Sequence, residues 1–551
     1  MMPIGRSGRQ GGPHCRFGAE ELSGSTASRF DPVRVLDCKP GVRPLLSVDS
    51  DKAVYELTSF GRFIVLVSVI LASTCYTATI LVATTLLPQM QGGLSATQDE
   101  IAWVMTFNIL ATAVATPMTG WLVSRFGRRR VMMWCLAGFT IATFGCGSST
   151  TLEQLVIWRI VQGGIGAPLI PLSQTLLLDS YPRHRHGFVL SLYGMSNIVG
   201  PALGPVLGGW IGETMGWQWG FFMVLPVSAL AFLLFRFFLP SDDALTSKVR
   251  LDWVGFVSLS VAIASVQLVL SRGQRLDWYD SPEIWIETGL AVGAFYVFIS
   301  HSLTAQNTYL TLRLFRDRNY ALGCLIVTLY GMLNFAPVVL LPPLLQQHAG
   351  FPDSAIGTYV GWRGVGNGLG FLAAMLMQRL DPRINLVFGA SLQAASGWWL
   401  THINLDIDQT TLGINSLMQG FAVGILWVPL TVATFSTLAP QYRAEGSAVF
   451  HLLRNLGSSL FISVAVAEII RTTTTNYSRM TEQVSAFNKT WQLPWVTGAW
   501  SFDTMQDLAR VSKEITRQST MIGFTNAFLL YTVLSALAIP LCLLVKPPPA
   551  R

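Results

Sequence analysis

Long apolar segments separated by short polar loops make up most of this chain. Fourteen of the segments approach the ~20 residues that a helix needs to cross the hydrocarbon core of a bilayer. No segment alternates polar and apolar residues as a strand would, and a backbone in lipid must satisfy its own hydrogen bonds. The pattern predicts an all-α polytopic membrane protein with fourteen transmembrane helices. The predicted spans are 63–88, 101–123, 131–148, 155–178, 188–211, 219–239, 252–271, 283–302, 320–345, 355–378, 384–401, 412–436, 446–470 and 521–545.

Two stretches lie outside this pattern. Residues 1–60 are rich in Gly, Ser, Pro and Arg and lack apolar periodicity, so we predict a disordered leader there. Residues 471–520 form one long polar loop, with helix-like apolar spacing over 502–520. This loop favours either an interfacial helix anchored by tryptophans or a docking surface for a partner outside the membrane. The tryptophans are Trp491, Trp495 and Trp500.

Composition supports a membrane protein. The chain is 51% hydrophobic and 12% charged, whereas soluble proteins carry about 25% charged residues. The net charge of +7 does not indicate nucleic-acid binding, because the basic residues occupy alternate short loops and the C-terminal tail. The opposite short loops contain only Arg272 and Arg275, so the positive-inside rule predicts cytoplasmic termini. The seven cysteines are scattered without a CxxC motif, so we expect neither a metal site nor disulfides.

The loop after the second predicted span is basic and contains glycines. It has the sequence G-W-L-V-S-R-F-G-R-R-R over residues 120–130. Such a loop favours either an electrostatic clamp between neighbouring helix ends or simple enforcement of orientation. The residues that carry this motif are Gly120, Arg125, Gly127, Arg128, Arg129 and Arg130.

A charged residue lies inside the fourth predicted span. Arg159 is about one turn from the start of the apolar stretch, and Gln162 falls close to the same helix face. A charge at that depth costs about 2.5–3.5 kcal/mol on insertion scales unless it finds a partner or reaches the interface. Arg159 is therefore either a functional residue or a side chain that extends to the outer interface.

The fifth predicted span is rich in glycine. Residues 196–212 read S-N-I-V-G-P-A-L-G-P-V-L-G-G-W-I-G. Glycines four residues apart let helices approach closely, and a proline leaves one backbone carbonyl without its usual donor. The pattern favours either a packing helix of any polytopic protein or a kinked helix that flexes. The residues concerned are Gly200, Gly204, Pro205, Gly208 and Gly209.

Further polar and aromatic residues fall within the later spans. Arg363 and Arg454 are intramembrane cations, and His451 lies about one turn from Arg454. A histidine there is either a proton participant that titrates near neutral pH or a structural residue bonded to a neighbouring helix. Five aromatic side chains either line a pocket for flat lipophilic molecules or pack in the core and against lipid. They are Tyr76, Phe107, Tyr193, Tyr330 and Phe335.

Three of these stretches, in order and combined with fourteen spans, resemble the major facilitator superfamily. The similarity is to its fourteen-span drug/proton antiporter branch of the EmrB/QacA type, especially the EmrB-like multidrug efflux permeases. Residues 120–130 resemble the loop motif G-x-L-a-D-R-x-G-R-[RK]. Residues 159–163 resemble the fourth-helix motif whose arginine is linked to proton transfer, and residues 200–209 resemble the antiporter motif of the fifth helix. The similarity extends over residues 60–548.

The resemblance implies a fold and a function. The fold is the major facilitator bundle, with six-helix halves over 61–240 and 320–551 and two extra central spans within 241–319. The function is proton-driven export of lipophilic or amphiphilic toxic compounds across the cell inner membrane, with no cofactor besides the proton gradient and no enzymatic chemistry. The alternative is an exporter of one endogenous metabolite or siderophore in the same fold.

The resemblance also implies partners and residue roles. The partners are lipophilic substrates, membrane lipids and, if EmrB-like pairing holds, a periplasmic membrane-fusion adaptor and an outer-membrane channel. Proton coupling falls to Arg159 with Gln162, conformational switching to the glycine-rich fifth helix, and the cytoplasmic gate to the arginines of residues 128–130.

Two positions depart from the family pattern. Ser124 and Thr79 stand where the family usually has Asp, and the Asp at the second position is a favoured proton carrier. We therefore expect either another carrier, with Glu468 and Glu100 ranked first and His451 as a further candidate, or a facilitator that lacks tight coupling to protons. A carrier carboxylate needs a poorly solvated pocket that raises its pKa towards neutrality. Glu468 and Glu100 lie near helix ends, where a solvated carboxylate is the commoner state, and so do three further carboxylates, Asp99, Asp179 and Glu287.

Overall fold

A computed structural model of the chain describes residues 58–546, apart from ten gaps. The predicted leader up to residue 57 and the three loop tryptophans lie outside the described residues. The gaps are 183–184, 240–250, 306–307, 352, 378–380, 406, 440–441, 486–487, 489–492 and 494–503.

The described residues form α-helices joined by short turns, without a β-strand among them. In chain order the helices are α1 (Ser59–Gly93), α2 (Gln98–Ala115), α3 (Thr119–Phe126), α4 (Arg128–Gly147), α5 (Leu152–Gly166), α6 (Leu169–Ser180), α7 (His186–Met215), α8 (Trp217–Phe222), α9 (Leu225–Phe238), α10 (Trp253–Arg272), α11 (Pro282–Thr304), α12 (Arg318–Pro343), α13 (Asp353–Leu376), α14 (Pro382–Leu400), α15 (Gln409–Phe435), α16 (Arg443–Gln483) and α17 (Met505–Leu543).

Each of the fourteen predicted spans coincides with one helix or with two consecutive helices. In the described part of the chain, ten helical segments are long and apolar enough to cross a membrane. The structure therefore confirms the all-α membrane bundle and is consistent with fourteen spans. Three spans are each divided into two helices, and Pro117, Pro168 and Pro226 lie at the divisions. Proline lacks the N–H that would continue a helix, but it is tolerated in the first turn of the next one.

The helices pack as two groups. The helices α1 to α9, here called the first half, pack mainly on one another, and so do α12 to α17, the second half. Glycines permit the closest contacts. Gly163 of α5 lies against the backbone carbonyl of Asn108 in α2, and Gly331 of α12 lies against that of Arg454 in α16. A larger side chain at either glycine would collide with this backbone, so these positions fix the helix spacing.

The two extra spans, α10 and α11, pack against each other, and α10 also contacts α2 and α16. Most of α11 faces outward, where its large apolar side chains are exposed. Trp285, Val292 and Leu303 are 61%, 66% and 73% exposed, respectively. In water such a surface would be unfavourable, but hydrocarbon is as apolar as these side chains. The exposure of α11 therefore indicates a lipid-facing helix.

Helices α16 and α17 are much longer than a bilayer requires. They contain 41 and 39 residues, whereas about 20 residues suffice for a span. The predicted loop 471–520 is therefore helical at both its ends, as the final part of α16 and the first part of α17. Residues 505–520 are continuous with α17 and do not form a separate interfacial helix. The hydroxyls of Tyr477 and Ser512, 3.0 Å apart, hold the two extensions together.

Candidate functional site

The basic loop forms a tight turn between α3 and α4. Gly127 has φ of 82°, a left-handed value that favours glycine, and it lets α4 start at once with Arg128. Arg128 is buried, and its guanidinium binds the carboxylate of Asp179, in the last turn of α6. Ser124, at the usual Asp position, donates a hydrogen bond to the carbonyl of Gly120 at 2.9 Å. One arginine of the loop therefore has a buried carboxylate partner.

Asp179 binds a second arginine from the other half of the protein. Its Oδ1 accepts a hydrogen bond at 2.6 Å from Nη1 of Arg443, the first residue of α16. The sequence favoured a solvated carboxylate at this helix end, but Asp179 is fully buried in the structure. In the sequence, Arg443 is one of the basic loop residues that support the positive-inside prediction, and nothing there indicates that it pairs with Asp179. Asp179 therefore joins the two halves.

More contacts between the halves follow along the start of α16. Glu445 packs against Gly120, the hydroxyl of Ser447 donates to the carbonyl of Pro171 at 3.3 Å, and His451 bonds to the side chain of Gln174. We call this contact zone, from Arg443 to His451 with its α3 and α6 partners, the gate. Its polar contacts join the two halves at the end of the bundle that carries the basic loop.

The other arginines of the basic loop are placed differently. Arg129 donates from Nη2 to the carbonyl of Arg236 at 2.7 Å and so joins α4 to the end of α9. Arg125 and Arg130 are exposed, as expected for residues that set orientation. The contact of Arg128 with Asp179 agrees with the clamp alternative, and the role of the exposed arginines in setting orientation stays a prediction.

Arg159 is fully buried and does not extend to the interface. Its Nη1 donates to Oε1 of Gln162 at 2.6 Å, and Nε2 of Gln162 donates to the hydroxyl of Thr143 at 2.7 Å. The guanidinium also lies 5.9 Å from the ring centroid of Phe221. Among the described residues, no carboxylate forms an ion pair with Arg159. The predicted pair of Arg159 and Gln162 therefore forms a chain of hydrogen bonds from the guanidinium through neutral side chains to α4.

Residues of α2 that sequence analysis did not select hold this network. Nδ2 of Asn108 donates to the carbonyl of Arg159 at 2.8 Å, and the hydroxyl of Thr112 donates to the carbonyl of Gly163, in the same helix as Arg159, at 3.3 Å. A polar Asn within an apolar span is the signal that would have identified it, because polar groups inside a membrane usually bridge helices.

The candidate proton carriers lie in different surroundings. Glu100, just before the predicted 101–123 span, forms a capping box with Thr97, whose N–H and hydroxyl bind it at 2.9 and 2.8 Å. These hydrogen bonds lower the pKa of Glu100. Glu468 is partly buried and accepts from Thr472 at 2.9 Å. Thr79 is buried and donates to the carbonyl of Cys75 at 2.7 Å.

His451 is buried in the gate between Gln174 and the rings of Trp427 and Phe450. Of the three candidate carriers, it alone bonds to the other half in the described structure. Glu287, a less favoured carboxylate, pairs with Arg272 at 3.1 Å between α10 and α11. Asp99 has no described side chain.

Comparison with known proteins identifies the family. The sequence profile of the Major Facilitator Superfamily matches residues 67–462. The chain belongs to the major facilitator superfamily. It is 32% identical over 477 residues to Multidrug export protein EmrB of Escherichia coli (strain K12), covering 85% of this chain and 92% of that protein. It is 31% identical to Fatty acid resistance protein FarB of Neisseria gonorrhoeae, again over 85% of this chain and 92% of that protein.

Solved structures support the same fold. The human organic anion transporter MFSD10 (TETRAN) aligns with a TM-score of 0.57 at 16% identity, over 87% of this chain and all of that chain. The proton:xylose symporter XylE aligns with a TM-score of 0.54 at 13% identity, over 87% of this chain and 95% of that chain. At these identities the likeness concerns the fold alone.

In this major facilitator protein the glycine-rich motif lies on α7, which is one uninterrupted helix. The side chains over 198–207 and at 209 lie outside the described residues, so four of the five motif residues stay predictions. Gly208 lies against Val82 of α1, and Gly212 lies against Leu86 of the same helix. These two contacts agree with the close-packing alternative.

The intramembrane cations of the second half also lack acidic partners among the described residues. Arg363 bonds to the backbone and side chain of Asn334. Arg454 bonds to Asn455 and lies 5.6 Å from the ring centroid of Trp427. Three of the five aromatic residues are buried near Arg454, namely Tyr76, Tyr193 and Tyr330. Phe107 is partly buried, and Phe335 is exposed.

Proposed function

We propose that this protein is an efflux transporter that exports lipophilic or amphiphilic toxic compounds across the inner membrane by alternating access. The observation that carries the proposal is the gate, in which Asp179 binds Arg128 of the first half and Arg443 of the second. Two halves joined at one end by a few buried polar contacts can separate there and close at the other end. The multidrug export and resistance names of its relatives support the substrate class.

Inward proton flow drives this export, and Arg159 with Gln162 couples the two movements. A fully buried guanidinium bound only by neutral groups in the described structure stabilises any anionic group that approaches it. A carboxylate carrier that loses its proton beside Arg159 would be held there until it is protonated again, whereas a histidine becomes neutral on losing its proton and would act through its own hydrogen bonds. Of the three candidate carriers we propose His451 first, because its proton state bears directly on the bond to Gln174 across the gate, and Glu468 second. Glu100 is the least favoured, because the hydrogen bonds from Thr97 keep it ionised.

The protein operates with its basic loops in the cytoplasm, so that the gate is the cytoplasmic one. The helical extensions beyond the membrane in α16 and α17 are then periplasmic. We propose that they contact a membrane-fusion adaptor, which passes the substrate to an outer-membrane channel. Lipid surrounds α11 and the other exposed apolar helices.

Inverted membrane vesicles test the proposal. Lipophilic cations, weak acids and uncouplers are added in turn to energised vesicles, and a pH-sensitive dye reports substrate-triggered proton release. The wild type should respond to at least one class, Arg159→Ala should not respond, and Arg272→Ala should respond normally, because Arg272 pairs with Glu283 and Glu287 away from the gate.

A normally inserted wild type that releases protons for none of the compounds would overturn the proton coupling. Drug-susceptibility profiles of cells with and without the protein test export separately. If these profiles coincide while one metabolite or siderophore accumulates only in the medium of the expressing cells, the dedicated exporter replaces the drug exporter.

A further inference from the structure

Arg454 lies on the face of α16 that points to the first half. Ser447, His451, Arg454 and Ser458 follow at spacings of three and four residues, so they share one face of the helix. The first two of these bond to Pro171 and to Gln174 of α6. Arg454 therefore continues the gate face by one turn, towards the interior of the membrane.

Groups from both halves surround the guanidinium of Arg454. It lies 5.6 Å from the ring centroid of Trp427 in α15. The hydroxyls of Tyr76, Tyr193 and Tyr330, from α1, α7 and α12, lie close enough to interact with its charge. Trp427 and Tyr330 form an aromatic pair with centroids 5.2 Å apart. Arg454 is thus a central cation flanked by aromatic rings.

Arg454 nevertheless keeps part of its surface accessible, although the rings around it are 8% exposed or less. The lipid-facing residues of α16 are Leu460 and Val464, at 40% and 42% exposure, and they occupy a different face of the helix. The accessible part of Arg454 therefore faces the space between the halves, directly beyond the gate.

No described carboxylate compensates this charge. The hydrogen bonds of Arg454 go to Asn455, and its electrostatic neighbours are tyrosines and His451. Arg363 adds a second cation that also acts on Tyr330. The nearest acidic residues along α6 and α16, Asp179 and Glu445, are bound in or beside the gate. The space beyond the gate is therefore electropositive, and in a medium of low dielectric such a charge attracts anions and repels cations.

We propose that this space binds organic anions with a flat apolar body, and that Arg454 holds their anionic group. The proposal rests on the proposed export function and names its substrate class. A guanidinium binds a carboxylate or sulfonate through two parallel hydrogen bonds. The rings of Trp427 and Tyr330 lie beside the guanidinium, and the small exposed part of each meets the apolar body of the bound molecule. Lipophilic cations bind this space more weakly than anions of the same shape.

Three probes with one naphthalene body and different charges test the proposal. They are 2-naphthoate, 2-naphthalenemethanol and 2-naphthylmethylammonium. Their equilibrium binding is measured by calorimetry at pH 7.5 to the purified full-length protein in nanodiscs of zwitterionic lipid. The wild type should bind the anion at least about tenfold more tightly than the other two, since charge-assisted hydrogen bonds contribute about this much or more.

Matched variants assign the effect to its residue. Arg454→Gln should lose the preference for the anion while its affinity for the alcohol stays unchanged, and Arg454→Lys should keep part of the preference. Trp427→Leu should lower the affinity for all three probes by a similar factor, because it removes the aromatic ring and leaves the charge of Arg454 in place. Equal elution volumes in size-exclusion chromatography show that each variant is folded.

Several outcomes would overturn the proposal. They are equal affinity of the wild type for the three probes, tighter binding of the cation, no binding of the anion, and an unchanged anion preference in Arg454→Gln. A different result would overturn the export function and leave the binding proposal intact. In that result 2-naphthoate binds through Arg454, yet inverted vesicles with wild-type protein do not accumulate it and cells gain no resistance to any compound.

Discussion

Asp179 accepts a hydrogen bond from Arg443, 264 positions further along the chain, and the same carboxylate binds Arg128. Both of its oxygens are thereby used, one for each half of the protein. Removing one member of a buried ionic cluster leaves the others unpaired in a low dielectric, which costs about 3–5 kcal/mol. The gate therefore depends on a single carboxylate more than on any one arginine.

Replacing Asp179 by Asn should open the gate. The amide cannot neutralise Arg128 and Arg443, so the closed state loses its main ionic contact. A cysteine placed at Ser447, which is fully buried in the gate, should then react at least about tenfold faster with a membrane-impermeant maleimide added to inverted vesicles. The background protein has its natural cysteines replaced.

Ser180→Ala is the control for this experiment. Ser180 is the neighbouring residue, is equally buried, and its hydroxyl has no hydrogen-bond partner among the described residues. Labelling of Ser447→Cys should stay slow in this variant. Slow labelling in Asp179→Asn as well would show that the ion pairs do not keep the gate closed.

Adjacent glycines of α5 should respond oppositely to alanine. A Cβ on Gly163 would collide with the backbone carbonyl of Asn108, whereas a Cβ on Gly164 meets nothing within 4 Å. Gly163→Ala should force α2 away from α5, reduce the yield of folded protein and abolish Arg159-dependent transport. Gly164→Ala should be neutral or should stabilise the helix by up to about 1 kcal/mol. Fluorescence-detected size-exclusion chromatography after heating compares them, and equal melting temperatures would contradict the packing described.

Thr143→Val should weaken the chain that ends in Arg159. The substitution preserves shape but leaves Nε2 of Gln162 buried without its acceptor, which costs about 1–3 kcal/mol. Proton release in vesicles should fall several-fold while insertion stays normal. Thr140→Val is matched in chemistry and helix, but its hydroxyl bonds to Ser228 away from Arg159. Equal proton release by the two variants would remove Thr143 from the coupling network.

Glu100 should not set the pH dependence of transport. Hydrogen bonds from Thr97 lower the pKa of Glu100, so the carboxylate stays ionised from pH 6 to pH 8. Its contribution to stability is present at these pH values and is lost only as the pH falls through the lowered pKa. Glu100→Gln should therefore leave the pH profile of export unchanged, and His451→Gln should alter it. A profile displaced by Glu100→Gln would restore this residue as the carrier.

Asp252 should matter for the attachment of the two extra spans. It caps α10, accepts a hydrogen bond from the N–H of Tyr309, and pairs with His301 at 2.8 Å. Asp252→Ala loses all three contacts and should lower the melting temperature of the purified protein, since a cap alone contributes about 1 kcal/mol. Asp252→Asn retains a cap and should melt in between. An unchanged melting temperature of the alanine variant would show that these contacts do not stabilise the bundle.

The sequence predicted the spans well because hydropathy follows directly from the requirement of the bilayer. It also selected Arg128 and Arg159, since charge inside or beside an apolar segment is visible without a structure. The partner of Arg128 was not recoverable. Asp179 has the sequence context of an ordinary solvated helix end, and Arg443 is indistinguishable from the basic residues that set orientation. A contact between positions so distant along the chain leaves no local signal.

The sequence indicated helix-like spacing over 502–520, but it did not show that this stretch is continuous with the last span or that α16 continues beyond residue 470. Residues beyond 470 are polar, so hydropathy indicates the end of the span at the membrane surface, although the helix continues to Gln483. The extension also contacts a neighbouring helix, through the hydroxyls of Tyr477 and Ser512, and such tertiary contacts leave no signal in hydropathy. Hydropathy reports burial in lipid, so it carries no information about the part of a helix that continues beyond the membrane.

One rigid element connects events on the two sides of the membrane. Helix α16 is a rod of 41 residues, or about 60 Å at 1.5 Å per residue. It begins with Arg443 at the gate, carries Arg454 in the interior and ends with Gln483 outside the membrane. A tilt of a few degrees at its inner end displaces the outer end by several ångströms. If the proposed gate opens in this way, a protein bound to the outer end would be displaced at each opening, and by resisting that displacement it would slow the proposed transport cycle without contacting the substrate.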